Sequence, residues 1–441
     1  MRKYLFIVVS FACSLLAYGQ SVDKSINEAI NKSQWFELRE LYQNHSAEVQ
    51  TAVLHPLSKF FIHHFFNQPD SALYYADQLL TKHQAELGGS ASSFIFLMSQ
   101  NFAKLGQYTN AAGILEQYNG MFRAQNLEPN PLFVSYEKQY QAIAELGGFR
   151  THRPAKDIQI PISYRDEAGK PSLIQLGTRI NGQAHQAVWD TGAGENIISL
   201  ELAEALKLPI FDFAGSEVVS TVGVSQSAFT IIDSLQLGEI VYTHVPFQVL
   251  QMKGPNAEAN AQIKRMGLDF ILGVPCMLAL EEIQFDFKHN LLRIPAQPSP
   301  APAFAPNLCC SVERTFVVSI LDKRSQKTIQ GLLDTGSVST TLTSRYYAAN
   351  ADLLRDFSPT ETLRTAGMGG VKTAQVISTS WEYSIDGTHF QKEPIRIEVG
   401  SDTQIKPIYD CVLGTPSLSK YDTVTLNFKD MYLRFDQSTA E

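Results

Sequence analysis

Two short stretches of this sequence carry residues able to do acid–base chemistry. Val188-Trp189-Asp190-Thr191-Gly192 and Leu332-Leu333-Asp334-Thr335-Gly336 each run apolar residues into an aspartate, a threonine and a glycine. Two carboxylates held against each other cannot both ionise easily. One then serves as a base while the other, still protonated, serves as an acid. A lone Asp-Thr-Gly is a weak signal, because Asp and Gly are turn residues and such a triplet commonly just ends a strand. The weight lies in the placement of the two triplets, and so in the elements that must carry them.

Those elements repeat. Ile283-Gln-Phe-Asp-Phe-Lys-His-Asn-Leu-Leu-Arg-Ile294 aligns with Val424-Thr-Leu-Asn-Phe-Lys-Asp-Met-Tyr-Leu-Arg-Phe435. Each reads as a hairpin, turning at His289-Asn290 or Asp430-Met431. Ile271-Leu272-Gly273 aligns with Val412-Leu413-Gly414 at the same spacing. The Asp-Thr-Gly blocks, at 190 and 334, make a third pair in the same order. Three ordered blocks mean two copies of one β-rich unit. Short β-rich runs at 157–164, 173–180, 229–237 and 245–252, with an Asn181-Gly182 hairpin signal, support that reading. Residues 295–308 form a proline-rich linker between the copies, expected to be extended and semi-rigid.

This pattern resembles the pepsin and retropepsin-like aspartic peptidases, above all bacterial proteins with two retropepsin-like domains. The resemblance spans residues 157–437. It implies a first lobe at 157–294 and a second at 309–437, meeting about a pseudo-twofold axis. Asp190 and Asp334 would be the catalytic carboxylates sharing one proton, with an activated water attacking a peptide carbonyl. Thr191 and Thr335 would bond across to the opposite loop. Gly192 and Gly336 would permit the tight turn. Each apolar-apolar-Gly strand would brace its loop from behind. Ala193 after the first glycine resembles the retroviral pattern, and Ser337 after the other glycine resembles that of pepsin. The Ser337 hydroxyl would bond its own lobe's carboxylate, so Asp334 would carry the charge and Asp190 the proton. Gly223 in the first lobe, and Gly367 and Gly369 in the second, are candidate flap glycines. One departure stands out: the Gly-Arg-Asn/Asp triplet of retroviral enzymes is replaced by Gly273-Val274-Pro275 and Gly414-Thr415-Pro416, so their interlobe arginine is missing.

The N-terminal part differs in kind. Residues 20–150 carry apolar positions at helical spacing, as at Ala72, Tyr75, Ala76 and Leu79, with breaks at Gln68-Pro69-Asp70, Gly88-Gly89 and Leu105-Gly106-Gln107-Tyr108. Residues 92–112 resemble a tetratricopeptide helix pair, and 34–82 follow a similar rhythm. The expected fold class is thus α+β and multidomain: a helical, solenoid-like domain followed by two all-β aspartic-protease lobes.

Residues 1–19 read as a signal peptide. Arg2 and Lys3 precede an apolar run at 4–17, and Ala17-Tyr18-Gly19 is a small-x-small cleavage pattern. The run is shorter than a spanning helix needs. Cys13 lies within that run, which disfavours lipid attachment there. The expectation is export to the periplasm or the exterior with no membrane span. Four cysteines would remain, Cys276, Cys309, Cys310 and Cys411, in three formal pairings. No CxxC or His/Cys cluster points to a metal, and no cofactor is implied. A formal charge of −8 and the lack of a basic stripe speak against nucleic acid. The expected partner is a peptide or protein substrate, with room for a further protein partner at the helical domain. The rival readings are a peptide binder without turnover, a scaffold led by the helical domain, and, remotely, a glycosidase using the same carboxylates.

Overall fold

The computed structural model describes residues 22–88, 91–166, 168–212, 217–219, 224–252, 257–367, 370–403 and 406–436. The proposed signal peptide lies outside them. The chain divides into two compact units. One comprises the residues up to Gly148 together with Cys309–Val312; the other comprises Phe149–Leu308 and Glu313 onward.

The first unit is helical. Successive helices pack on one another: Trp35–His45 on Leu54–Phe65, that on Pro69–Lys82, and further along Ala91–Lys104, Tyr108–Ala124 and Pro131–Glu145. The breaks read from the sequence are real helix ends. Pro69 opens a helix, where its missing N–H costs nothing. Gly106, at φ +72, turns the chain between Lys104 and Tyr108. Aromatic rings fill the core, with Trp35 stacked on Phe61 and Phe65 and Phe60 against Phe94. His64 is buried on Asn101, 2.9 Å from its side-chain oxygen, and burial pushes its pKa well below the usual value. It is a packed, neutral histidine.

The second unit is built of β-barrel-like sheets. Ile158–Arg165 alternates strictly, with Ile158, Ile160, Ile162 and Tyr164 inward and polar residues or Pro161 outward. Asn181 and Gly182 both take positive φ, as a two-residue hairpin turn requires. Asn290 and Met431, at matching points of the repeated hairpins, are likewise left-handed.

The same motif forms the centre of both repeats. In the first, Phe270–Leu272 lies parallel to Gln183–Trp189 and antiparallel to Ile197–Ser199. In the second, Cys411–Gly414 lies parallel to Lys327–Asp334 and antiparallel to Thr341–Leu342. The repeated hairpins pair with each other directly. Glu282–Asp286 runs antiparallel to Thr423–Asn427, with Ile283 opposite Leu426 and Phe285 opposite Val424, so one sheet continues from the first repeat into the second.

The proline-rich segment is pinned along the first repeat. Arg153 donates to the carbonyls of Pro295 and Ala296, and Ser299 donates from its amide and its hydroxyl to the buried Glu282. Proline-rich backbone has carbonyls to spare, and side-chain donors take them up. All four described cysteines are free and buried, so none of the three formal pairings is formed.

Candidate active site

Each aspartate stands where a strand runs out against a parallel neighbour. The Asp190 amide donates to the Leu272 carbonyl at 3.0 Å, and Asp334 pairs in register with Gly414. A loop then folds back. The Gly192 amide donates to Asp190 Oδ1 at 2.8 Å.

The two loops interlock. The Thr191 amide donates to Thr335 Oγ1 at 3.0 Å, and the Thr335 amide donates to Thr191 Oγ1 at 2.9 Å. Each hydroxyl then donates onward, Thr191 to the Leu333 carbonyl at 2.8 Å and Thr335 to the Trp189 carbonyl at 2.7 Å. Both threonines are fully buried, so these four bonds satisfy groups that would otherwise be stranded away from water. Valine would have the same shape without the bonds, which is why the chemistry calls for threonine.

This interlock brings the carboxyls of Asp190 and Asp334 together, hydrogen-bonded to each other. The glycines are needed for the approach. A Cβ on Gly192 would sit 2.6 Å from Asp334 Oδ1, and one on Gly336 would sit 2.6 Å from Asp190 Oδ1. Burial pushes Asp190 above the usual carboxylate range, opposed first by the Gly192 amide and then by those of Gly336 and Ala193. Burial also raises Asp334, to well above that range, with the Asp190 charge and the bond to Asp190 adding to it and only the Gly336 amide opposing. The carboxylate with more N–H donors keeps its charge better. Both carboxyls are raised, Asp334 the further, so the pair is suited to sharing one proton.

The assignment drawn from Ser337 loses its geometric ground. Its hydroxyl does not reach Asp334; it donates to the Ser339 carbonyl at 2.8 Å. A carbonyl two residues away is the nearer acceptor, as is common for serine in turns. Ala193 is buried beneath the first loop, and its carbonyl accepts the Val274 amide at 2.9 Å. Of the flap candidates, Gly367 ends the strand Glu361–Gly367 and pairs with Gly370 across a hairpin. Gly223 and Gly369 lie outside the described residues. Among the described residues no cluster of His, Cys, Asp or Glu is placed to hold a metal, and no helix is long and apolar enough to cross a membrane.

A family match covers part of the first repeat. The family described as gag-polyprotein putative aspartyl protease matches residues 176–273, from before the first Asp-Thr-Gly through its bracing Gly273. A retropepsin-like aspartic protease from Rickettsia conorii aligns at 16% identity and TM-score 0.22, over 33% of this chain and 92% of its own. The aspartic proteinase from Irpex lacteus aligns at 11% identity and TM-score 0.37, over 64% of this chain and 98% of its own. No curated protein matches the sequence. The family match supports a peptidase role in general terms.

Within this aspartic-protease-like site, sequence reasoning missed the residues behind the loops. Asn196 stands six positions after Asp190; it accepts the Gly273 amide at 2.9 Å and donates to the Pro246 carbonyl at 3.1 Å. Thr340 stands six positions after Asp334 and accepts the Gly414 amide at 3.1 Å. Their shared spacing was the available signal, hidden because the residue types differ. Also missed was an ion pair between the repeats, Arg314 to Glu195. It lies where the Glu313 carbonyl abuts Gly194, leaving no room for a side chain there. The triplets after Gly273 and Gly414 lack arginine, but the two halves are tied by a charge pair elsewhere.

Proposed function

We propose that the chain is an aspartic endopeptidase with Asp190 and Asp334 as its catalytic carboxylates. The observation that carries this reading is the interlocked pair of Asp-Thr-Gly loops with their carboxyls in mutual hydrogen bonding. In the ground state Asp190 is ionised and Asp334 protonated. Asp190 takes a proton from a water held between them, and the oxygen attacks the peptide carbonyl. Asp334 donates to the carbonyl oxygen as charge develops there. Collapse of the tetrahedral species expels the amine, which receives a proton from the dyad, and the original protonation state is restored.

In this reading the two repeats are lobes related by a pseudo-twofold axis. The reciprocal threonine bonds, the matched central strands and the direct pairing of the repeated hairpins support it. The helical unit would be a short solenoid presenting a surface to protein, and residues 1–19 would direct export before being removed. Substrates would be extended peptides or unfolded protein segments.

The test is to incubate purified protein lacking residues 1–19 with a peptide library across pH, with and without pepstatin. The expected result is pepstatin-sensitive cleavage that disappears in Asp190→Asn and in Asp334→Asn while both variants stay folded. Cleavage at the wild-type rate by either variant would overturn the one-dyad mechanism. Tight peptide binding with no product at any pH would replace it with the binding-protein reading.

A further inference from the structure

The backs of the two loops are wired differently. In the first repeat the Gly273 amide meets Asn196, whose own amide group ends on the Pro246 backbone carbonyl. Cys276, three residues after Gly273, is fully buried, and burial pushes its thiol up to about 12. Nothing in that network carries a charge.

In the second repeat the Gly414 amide donates to Thr340 Oγ1, which lies 2.7 Å from Ser417 Oγ. Ser417, three residues after Gly414, takes the place of Cys276. Its hydroxyl donates to Glu393 Oε2 at 3.0 Å, and Lys420 meets Glu393 Oε1 at 2.6 Å. Donor counting fixes the direction. Ser417 spends its only proton on the carboxylate, so Thr340 must donate to Ser417 and keep a lone pair for the Gly414 amide. The result is a one-way chain from a backbone N–H, through two hydroxyls, to a buried carboxylate. Such chains polarise every bond along them. Glu393 is buried on the long strand Thr388–Ser401, while Lys420 reaches solvent. The other titratable groups facing Glu393 are Tyr383 and Tyr421. Both are raised by burial and by the Glu393 charge, so both stay neutral.

The chain ends on backbone that has no slack. Gly414 stacks behind the loop so closely that a Cβ would lie 2.8 Å from the Ser337 carbonyl. Its neighbour Thr415 donates from its amide to the Ser337 carbonyl and from its hydroxyl to the Thr335 carbonyl, both at 3.1 Å. A shift of Gly414 therefore moves the turn that follows Asp334.

We propose that Glu393, clamped by Lys420, is a positioning residue that sets the second Asp-Thr-Gly loop through Ser417, Thr340 and the Gly414 amide. This rests on the peptidase reading, in which it makes Asp334 the conditional half of the dyad and Asp190 the fixed half. A carboxylate on a distant strand and a lysine at the surface then decide how well the two carboxyls meet.

The test compares Glu393→Gln, Thr340→Val and Lys420→Arg in the full chain. Glu393→Gln and Thr340→Val should each lower kcat by roughly tenfold with KM changed less than about twofold, because loop geometry is disturbed and the cleft is not. Their double variant should be no worse than the poorer single, since both cut one wire. Lys420→Arg should retain kcat. A folded Glu393→Gln with wild-type kcat, or losses that simply multiply, would overturn the proposal. Should Glu393→Gln fail to fold, Lys420→Met breaks the chain from its solvent end and is read in the same way. Hydrogen exchange over 411–418 gives a readout without turnover: the Gly414 amide should exchange faster in Glu393→Gln and Thr340→Val, and unchanged protection would again overturn the idea. If the wild-type chain cleaves nothing, or Asp190→Asn cleaves as well, the peptidase reading fails, and faster exchange at Gly414 would still establish the wiring.

Discussion

The first Asp-Thr-Gly loop and the second share a backbone frame and differ in almost everything attached to it. Both hang from a strand parallel to an apolar-apolar-Gly strand, and both lend a threonine to the other. Yet the Gly192 amide donates to Asp190 Oδ1, and burial raises Asp334 further than Asp190. Behind the first loop lies a neutral asparagine; behind the second lies a line of hydroxyls ending on a charge. Symmetry here belongs to the backbone and to the residues the backbone dictates. The asymmetry behind the loops comes from side chains outside the repeat signature.

The strongest way to break the symmetric half of that comparison is to add a methyl group at each glycine. Gly192→Ala and Gly336→Ala would each drive a Cβ into the opposite carboxyl, at 2.6 Å from its Oδ1 in both cases. One carboxyl must swing away, so peptidase activity should fall by at least about a hundredfold in both, measured as kcat/KM. A large loss in one variant and none in the other would mean that the loops are not equivalent even in backbone.

The threonines come next. Thr191→Val and Thr335→Val should each cost about 1–3 kcal/mol of unfolding free energy, because each strands a buried amide and a buried carbonyl. The double variant should cost less than the sum, since the two interlock. Denaturant titration of all three would read this. Full additivity would show that the interlock is not a single unit.

How much of this was legible in sequence follows the same division. The three repeated blocks predicted the paired hairpins, the bracing strands and the two loops, because each depends on local apolar patterning and on residues whose types are forced: a glycine where a Cβ meets a carboxyl, a threonine where a hydroxyl must both accept and donate. The Asn181-Gly182 and His289-Asn290 turns were legible for the same local reason. What was not legible joins distant positions without a pattern. Glu393 reaches Ser417 only because one strand lies beside a short helix, and Arg314 reaches Glu195 across more than a hundred residues of chain. Asn196 and Thr340 share a spacing and a job, but two chemically different side chains do it, so identity-based alignment passes over them.

A pH measurement probes the asymmetric half. Asp334 is raised well above the ordinary carboxylate value of about 4, so the folded chain holds a proton that the unfolded chain releases. Its contribution to stability is whole below that value and is lost as pH rises through the raised one. Melting temperature should therefore fall as pH climbs from about 4. Asp334→Asn should flatten that fall, leaving the smaller slope owed to Asp190, Glu313 and Asp386, which burial also raises. An unchanged slope in Asp334→Asn would place the dyad proton elsewhere.

The smallest effect is the most discriminating. By analogy with pepsin, Ser337 would donate to Asp334, hold it ionised, and make Ser337→Ala shift the acidic limb of the activity profile. The structure gives that hydroxyl another acceptor, the Ser339 carbonyl. Ser337 is only partly buried, so its removal costs one modest local bond, about 0.5–1.5 kcal/mol at most, and touches neither carboxyl. Activity against pH should keep its acidic limb in Ser337→Ala, with a slightly lower melting temperature. Ala193→Ser is the matching change on the other side, and it has a different neighbourhood. Position 193 is buried, and its amide is among those opposing the rise of Asp190. A hydroxyl added there can donate to Asp190, deepen its preference for the charge, and move the acidic limb downward. If instead Ser337→Ala moved the limb and Ala193→Ser did not, the charge would rest on Asp334, and the backbone amides around Asp190 would not be what separates the two carboxyls.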